Sequence, residues 1–227
     1  MSDTDRPTKP IAPTRRGAIT RAKLIDAGRK AFSAYGYEIA RVADVAKLAG
    51  VSHGNFYRHF TDKDDLLHAV LDELHQGLRR PVRRQKPSSA GGMLGEMIDY
   101  NASFFHTYAE HRDMLRVARE AAAKPGPSRF LETWLEMRVP FIERNRLWMQ
   151  KLQAKGSIDP AMDVSLMAES LGSMIEQLAY VHIGLAEQRP SPERLDELGQ
   201  ICGIIWFRSI FGGATAEPDL TVEEARR

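Results

Sequence analysis

A single cysteine, Cys202, in a chain of 227 residues excludes an internal disulfide framework. Also missing is any run of the roughly 18 to 20 consecutive apolar residues that a membrane span requires. The opening stretch MSDTDRPTKP carries no apolar segment of the secretory kind, so a cytoplasmic protein with no membrane role is expected. No segment alternates with the two-residue period of a half-buried strand, and no internal repeat recurs. Chemistry-bearing motifs are equally scarce, with neither a Gly-rich phosphate loop nor an HExxH. His68 and His75 share a helical face, and His106 and His111 flank a helix end, but no cysteine or carboxylate set completes a metal site around either pair. Neither a metal nor a cofactor is expected. Glu176 and Arg144 have no nucleophile to serve, so an enzyme is not expected either. Cys202 lies in a hydrophobic stretch and reads as a small core residue.

Net charge is also lacking: 32 Lys/Arg stand against 30 Asp/Glu, giving +2. The balance conceals an asymmetry. Residues 1–60 hold eleven Lys/Arg and five Asp/Glu, whereas residues 61–227 hold 21 and 25. Basic charge is thus concentrated where a polyanion could be met, although basic amino-terminal arms also serve solubility alone. A positional signal has to decide between the two.

What is present is helical periodicity with clear punctuation. Residues 1–18 are proline-rich and polar, and read as a flexible basic arm whose Arg15 and Arg16 could enter a minor groove. From about Thr20, Leu24, Ile25, Ala27, Gly28, Ala31, Phe32 and Tyr35 recur at helical spacing, with Gly36 as a left-handed stop. A short helix fits Val42 to Ala49, stopped by Gly50, and another fits His53 to His59, capped by Ser52. Thr61 and Asp64 have capping-box spacing ahead of a fourth helix with the stripe Leu66, Leu67, Val70, Leu71, Leu74 and Leu78. Segment 79–92 is a linker by composition. Helical patterns follow near 93–109, 112–123, 128–155, 160–187 and 192–211, separated by Pro125-Gly126-Pro127, Gly156, Asp159-Pro160 and Ser191-Pro192 and closed by Gly212-Gly213. The fold expected is all-α with about nine helices. It comprises a helix-turn-helix domain at 19–63, a larger effector-binding and dimerisation domain at 64–213, and a loose tail at 214–227.

Two short helices joined by a few residues containing glycine have helix-turn-helix geometry. In VADVAKLAGVSHGNFYRHF, Ala46 is small where helices cross, Gly50 permits the turn, and Val45, Val51 and Phe56 can fill the small core. His53, Asn55, Tyr57, Arg58 and His59 then fall on outward positions. Donors, aromatics and a cation suit phosphates and base edges, because phosphate contacts position a helix and major-groove hydrogen bonds read sequence.

The run Thr20 to Leu71, above all GYEIARVADVAKLAGVSHGNFYRHFTDKDDLLHAV, resembles the amino-terminal domain of TetR-family transcriptional regulators. The resemblance implies a three-helix domain on double-stranded operator DNA, with Tyr57, His59 and Lys63 on phosphates and the start of the third helix reading bases; Ser52, His53, Gly54, Asn55 and Arg58 are further candidates for DNA contact. Two positions depart from the family pattern. Arg41 stands where a threonine or serine usually caps the second helix, and can reach a phosphate instead. Gly28 replaces a usual alanine, at a cost of roughly 0.5 to 1 kcal/mol unless close packing uses the missing methyl.

The last two helical patterns are apolar on more than one face, and a homodimer through them, eased by Gly172, Ser173, Gly199 and Gly203, is expected. The family implies the same pairing. Met97, Asn101, Phe104 and Tyr108 lie along one helix face. Trp134, Met137 or Arg138, Phe141, Asn145 and Trp148 do so on the long helix, where Pro140 should force a kink or a break. With Gly172, Ile175, Glu176, Tyr180 and Trp206 they compose a mostly apolar site for a small hydrophobic effector. RDMLRVAREAA and IWFRSIFG are similar to the EthR-like branch, whose members have a long hydrophobic ligand tunnel. The expected function is a repressor that an apolar effector releases from its operator, with the fourth helix as lever. An activator of the same fold and a non-DNA ligand-binding protein are the alternatives.

Overall fold

The computed structural model describes residues 15–78, 89–123 and 129–212. Most of the expected arm and linker, the Pro125-Gly126-Pro127 breaker and the 214–227 tail lie outside the described residues. Among the described residues all regular structure is helical: α1 (Arg15–Ile39), α2 (Val42–Ala49), α3 (His53–Phe56), α4 (Lys63–Leu78), α5 (Gly92–Glu110), α6 (Arg112–Ala122), α7 (Arg129–Ala154), α8 (Val164–Ala179), a π-helical turn (Tyr180–Gly184) and α9 (Pro192–Phe211). The chain divides into two compact units, Met1–Val70 and Leu71–Arg227, where the sequence reading places the division after residue 63. No helix among the described residues is long and apolar enough to cross a membrane.

In the first unit, α1 already begins at Arg15. Arg15 and Arg16 are therefore helical and not part of an extended arm, and the Thr20 hydroxyl donates back to the Arg16 carbonyl at 3.0 Å. Gly36 interrupts α1 with φ 74° and ψ 165°. The positive φ is what glycine supplies, but the ψ is extended, so the chain breaks there without a left-handed helical stop. Gly50, at φ 67° and ψ 35°, is truly left-handed; its N–H and that of Val51 close back on Lys47 and Ala46 as a Schellman end. Ser52 caps α3 by accepting from the Asn55 N–H at 3.2 Å. The helix keeps only His53–Phe56, and Tyr57 to His59 continue as turns with i to i+3 bonds, so the two-turn helix read from the sequence is shortened. The start of α4 also shifts by one residue: Asp62 accepts from Asp65 N–H at 2.8 Å while the Asp65 carboxylate reaches back to Thr61 N–H at 3.0 Å. Asp64 is left for another partner. Leu24, Phe32, Val45, Phe56, Phe60 and Leu66 are buried. The missing methyl of Gly28 is used, because a Cβ there would lie 2.8 Å from Leu66 Cδ2.

In the second unit, α5 and α9 are in the closest contact. A Cβ on Gly203 would sit 2.6 Å from Ile98 Cα, and one on Gly199 would meet the Ala102 backbone. Gly172 likewise faces Ile142 of α7. The glycines read as aids to subunit approach thus serve packing within the chain, since each missing side chain is occupied by a neighbouring helix. His106 Nε2 and Asp196 Oδ1, 2.9 Å apart, further tie α5 to α9. α7 passes through Pro140 without a break. Asp159-Pro160 does not start a helix: Asp159 caps a local turn through Ala161 N–H, and Gln153 collects the carbonyls of Asp159, Pro160 and Met162. Asp163 caps α8 instead, accepting from Ser165 and Leu166 N–H at 3.0 Å each. Ser191 and Pro192 start α9 as the sequence indicates.

Candidate nucleic-acid interface and effector core

The local folding of the first unit fixes one surface. With Phe56 wholly buried, the adjacent positions of a short helix must turn outward: His53, Gly54, Tyr57 and Arg58 are exposed, as is Ser52, while Asn55 and His59 are half-buried. Tyr57 is held by edge contacts from His53 and Phe56, both with ring centroids at 5.2 Å, yet remains 52% exposed. That arrangement fixes an aromatic side chain without hiding it.

Four carboxylates of this unit, Asp26, Asp62, Asp64 and Asp65, have partners within it. Asp26 is paired with Arg29 and Lys30, whose hydrogen bonds hold its pKa below the ordinary 3.8. Asp62 and Asp65 cap α4. Tyr37 donates to Asp64, and burial together with that carboxylate pushes the phenol pKa up. Arg58 forms no ion pair among the described residues, so its charge faces solvent. Arg41 is exposed at the head of α2 and gives it no side-chain cap, in keeping with the missing threonine or serine.

Lys63 has partners within the unit. Its ammonium donates to the Tyr37 carbonyl at 2.8 Å and the Glu38 carbonyl at 3.3 Å, and lies 4.4 Å from the Tyr37 ring centre. It ties the end of α1 to the start of α4. No sequence spacing shows this, because the partners are about 26 residues apart. The unit also contains a groove of about 800 Å³ lined by Arg16, Gly17, Thr20, Ser52, Gly54, Asn55, Arg58 and His59, with no carboxylate among them.

In the second unit, part of the aromatic set converges. Phe104 meets Phe141 at 5.2 Å and Tyr108 at 6.3 Å, and Phe141 meets Trp206 at 6.5 Å. The member missed from the sequence is Tyr100, stacked on Phe141 at 6.2 Å and tilted on Trp206 at 5.9 Å. Its position three residues after Met97 was the available signal. The Tyr100 hydroxyl donates to Asn145 Oδ1 at 3.0 Å and accepts from Arg144 at 3.2 Å. Met97, Asn101, Asn145, Trp148 and Ile175 are all buried. Trp134 and Met137 are half-buried.

Charged groups border this core. Of Met137 and Arg138, it is Arg138 that reaches α8, at 2.7 Å from Glu176 and 2.6 Å from Glu169. Burial raises the Glu176 pKa above the ordinary 4.5 despite the arginine. Arg119 lies over the Tyr180 ring at 3.9 Å and donates to Gln177. Burial pushes the Tyr108 hydroxyl up to about 12. Asn101 Oδ1, the Tyr108 hydroxyl and the indole N–H groups of Trp148 and Trp206 are buried without a hydrogen-bond partner among the described residues. Each such group costs roughly 1–3 kcal/mol unless something satisfies it. Cys202 is buried and its thiol is pushed up to about 11, which suits packing and not nucleophilic chemistry.

Comparison with known proteins places these features in context. Residues 24–70 match the family model described as bacterial regulatory proteins, tetR family. The transcriptional regulator TtgR of Pseudomonas putida is 46% identical over 57 residues, 25% of this chain and 27% of its own length. The match thus spans about a quarter of that relative. CymR of Pseudomonas putida, also a transcriptional regulator, is 31% identical over 155 residues, 66% of this chain and 73% of CymR. Among solved structures, Salmonella enterica GusR superposes with a TM-score of 0.63 at 16% identity, covering 87% of this chain and 97% of that one. At that identity the likeness concerns the fold.

Proposed function

Because the chain belongs to the TetR family of bacterial regulatory proteins, we propose that it is a transcriptional regulator that binds operator DNA through the surface around α3. The observation carrying this is the set of exposed His53, Tyr57 and Arg58 with half-buried Asn55 and His59 around a buried Phe56, while Asp62, Asp64 and Asp65 are engaged in capping and in the Tyr37 hydrogen bond. Ser52, Gly54 and Arg41 complete the contact set. Lys63 acts by holding the start of α4, as its two backbone carbonyl contacts favour. The protein acts as a homodimer through α8 and α9, which places two reading helices about 34 Å apart on successive turns. Exposed Leu166, Val181, Ile201 and Ile205 on or just beyond these helices support that pairing.

The second unit holds a small hydrophobic effector, and no catalysis is needed for the role. Support comes from the Phe104, Phe141 and Trp206 cluster, with Tyr108, Asn101 and the indole N–H groups supplying polar contacts. Resemblance of the α6 and α9 segments to the EthR-like branch fits such a site. The effector releases DNA by binding better to a dimer whose reading helices have the wrong spacing; a tenfold preference is worth about 1.4 kcal/mol per site. The test is operator binding by purified protein on DNA upstream of its own gene, titrated with hydrophobic candidates. Repression predicts release at saturating effector. Tighter DNA binding with effector would favour activation instead, and failure on any DNA would remove the reading.

A further inference from the structure

Resting on the DNA-binding reading, we propose that the first turn of α1 is part of the DNA-binding surface: a sugar–phosphate strand lies in the groove between α1 and α3, with Arg16 and Arg58 on its opposite walls. Arg16, Gly17 and Thr20 from α1 line one continuous groove with Ser52, Asn55 and Arg58 from the α3 segment. Its lining offers two guanidiniums, an imidazole, hydroxyls and an amide, and no carboxylate. That composition rejects cations and suits a chain of phosphates. The first turn of α1 contains no acidic residue, so among the described residues no carboxylate of that turn opposes the positive end of the helix dipole. Because α1 starts at Arg15, Arg16 is held on a helix and belongs to backbone clamping; it does not thread a minor groove as a loose arm.

The role differs from base reading in what it alters. A phosphate contact weakens binding equally on matched and mismatched sequences when removed, and lowers the salt slope by about one for each contact. In a dimer the change is about two. The experiment measures binding of the full-length protein to a duplex from upstream of its own gene, and to a scrambled duplex, between 50 and 200 mM salt. Arg16→Ala should lose about a hundredfold on both duplexes, about tenfold for each of the dimer's two charge-assisted contacts, and Arg16→Lys should recover most of it. Thr20→Asp and Thr20→Asn separate charge from shape: the first should lose tenfold or more, the second only a few-fold. Unchanged affinity and slope in Arg16→Ala, or equal losses in the two Thr20 variants, would overturn the proposal. Joint substitution Tyr57→Phe/Arg58→Ala keeps the two readings apart. If it abolishes binding while Arg16→Ala does nothing, the α1 role alone fails; if neither substitution matters, the DNA-binding reading fails with it.

Discussion

Replacing Gly203 by alanine places a methyl carbon 2.6 Å from Ile98 Cα and 2.7 Å from Ile98 N. Ordinary carbon contacts lie near 3.5–4.0 Å, so α5 and α9 must separate by about 1 Å or tilt. The obstruction is main chain and cannot rotate aside. Overpacking of this kind costs about 1–3 kcal/mol, and alanine's better helix propensity returns about 0.5–1 kcal/mol. A net loss of about 1–2 kcal/mol should lower the melting temperature by about 3–8 °C in a domain of this size. Gly28→Ala is the control, because its Cβ meets only side-chain atoms of Leu66, the nearest at 2.8 Å, and Leu66 can adjust its rotamer. That variant should stay within about 1 kcal/mol of the parent. Thermal unfolding followed by circular dichroism compares the two. An unchanged or raised melting temperature for Gly203→Ala would refute the backbone-to-backbone packing of α5 on α9.

Three further outcomes are expected. Removing Arg138 leaves Glu176 inside α8 without its partner, so Arg138→Ala should cost about 1–3 kcal/mol in chemical denaturation, more than Glu169→Ala on the exposed side of the same pair. Glu176 has a folded pKa raised above 4.5 by burial, so its contribution is fully present below that value and is lost as pH rises through the folded pKa. Glu176→Gln should flatten stability against pH in that window, and an unaltered profile would contradict the burial effect. Asp163→Ala removes the acceptor for two N–H groups at the start of α8, and should lower stability by about 1 kcal/mol in the same denaturation assay.

The elements were legible where local chemistry decides them. Ser191-Pro192 and Gly50 mark real helix ends because capping and positive φ are satisfied within a few residues. Asp159-Pro160 has the same pattern and fails, since Gln153 folds its carbonyls into a turn and Asp163 offers a better cap for α8. The outward face of α3 followed from one buried phenylalanine. The Lys63 tie and the Arg138 pairings did not, because they join residues 25 or more positions apart and no periodicity carries that information. The glycines of α8 and α9 show the same limit. Their sequence signals close approach, but whether the approaching helix belongs to this chain is decided by the fold.

The account stands or falls on α3 as a DNA-reading surface, and the salt dependence of binding to DNA upstream of its own gene tests it most directly. About six phosphate contacts would give a slope of log affinity against log salt near −5, a loss on the order of a thousandfold between 50 and 200 mM. Parent protein should follow that line, and Tyr57→Phe/Arg58→Ala should bind far more weakly with a shallower slope. Affinity indifferent to salt, or a double variant indistinguishable from the parent, would contradict the central claim.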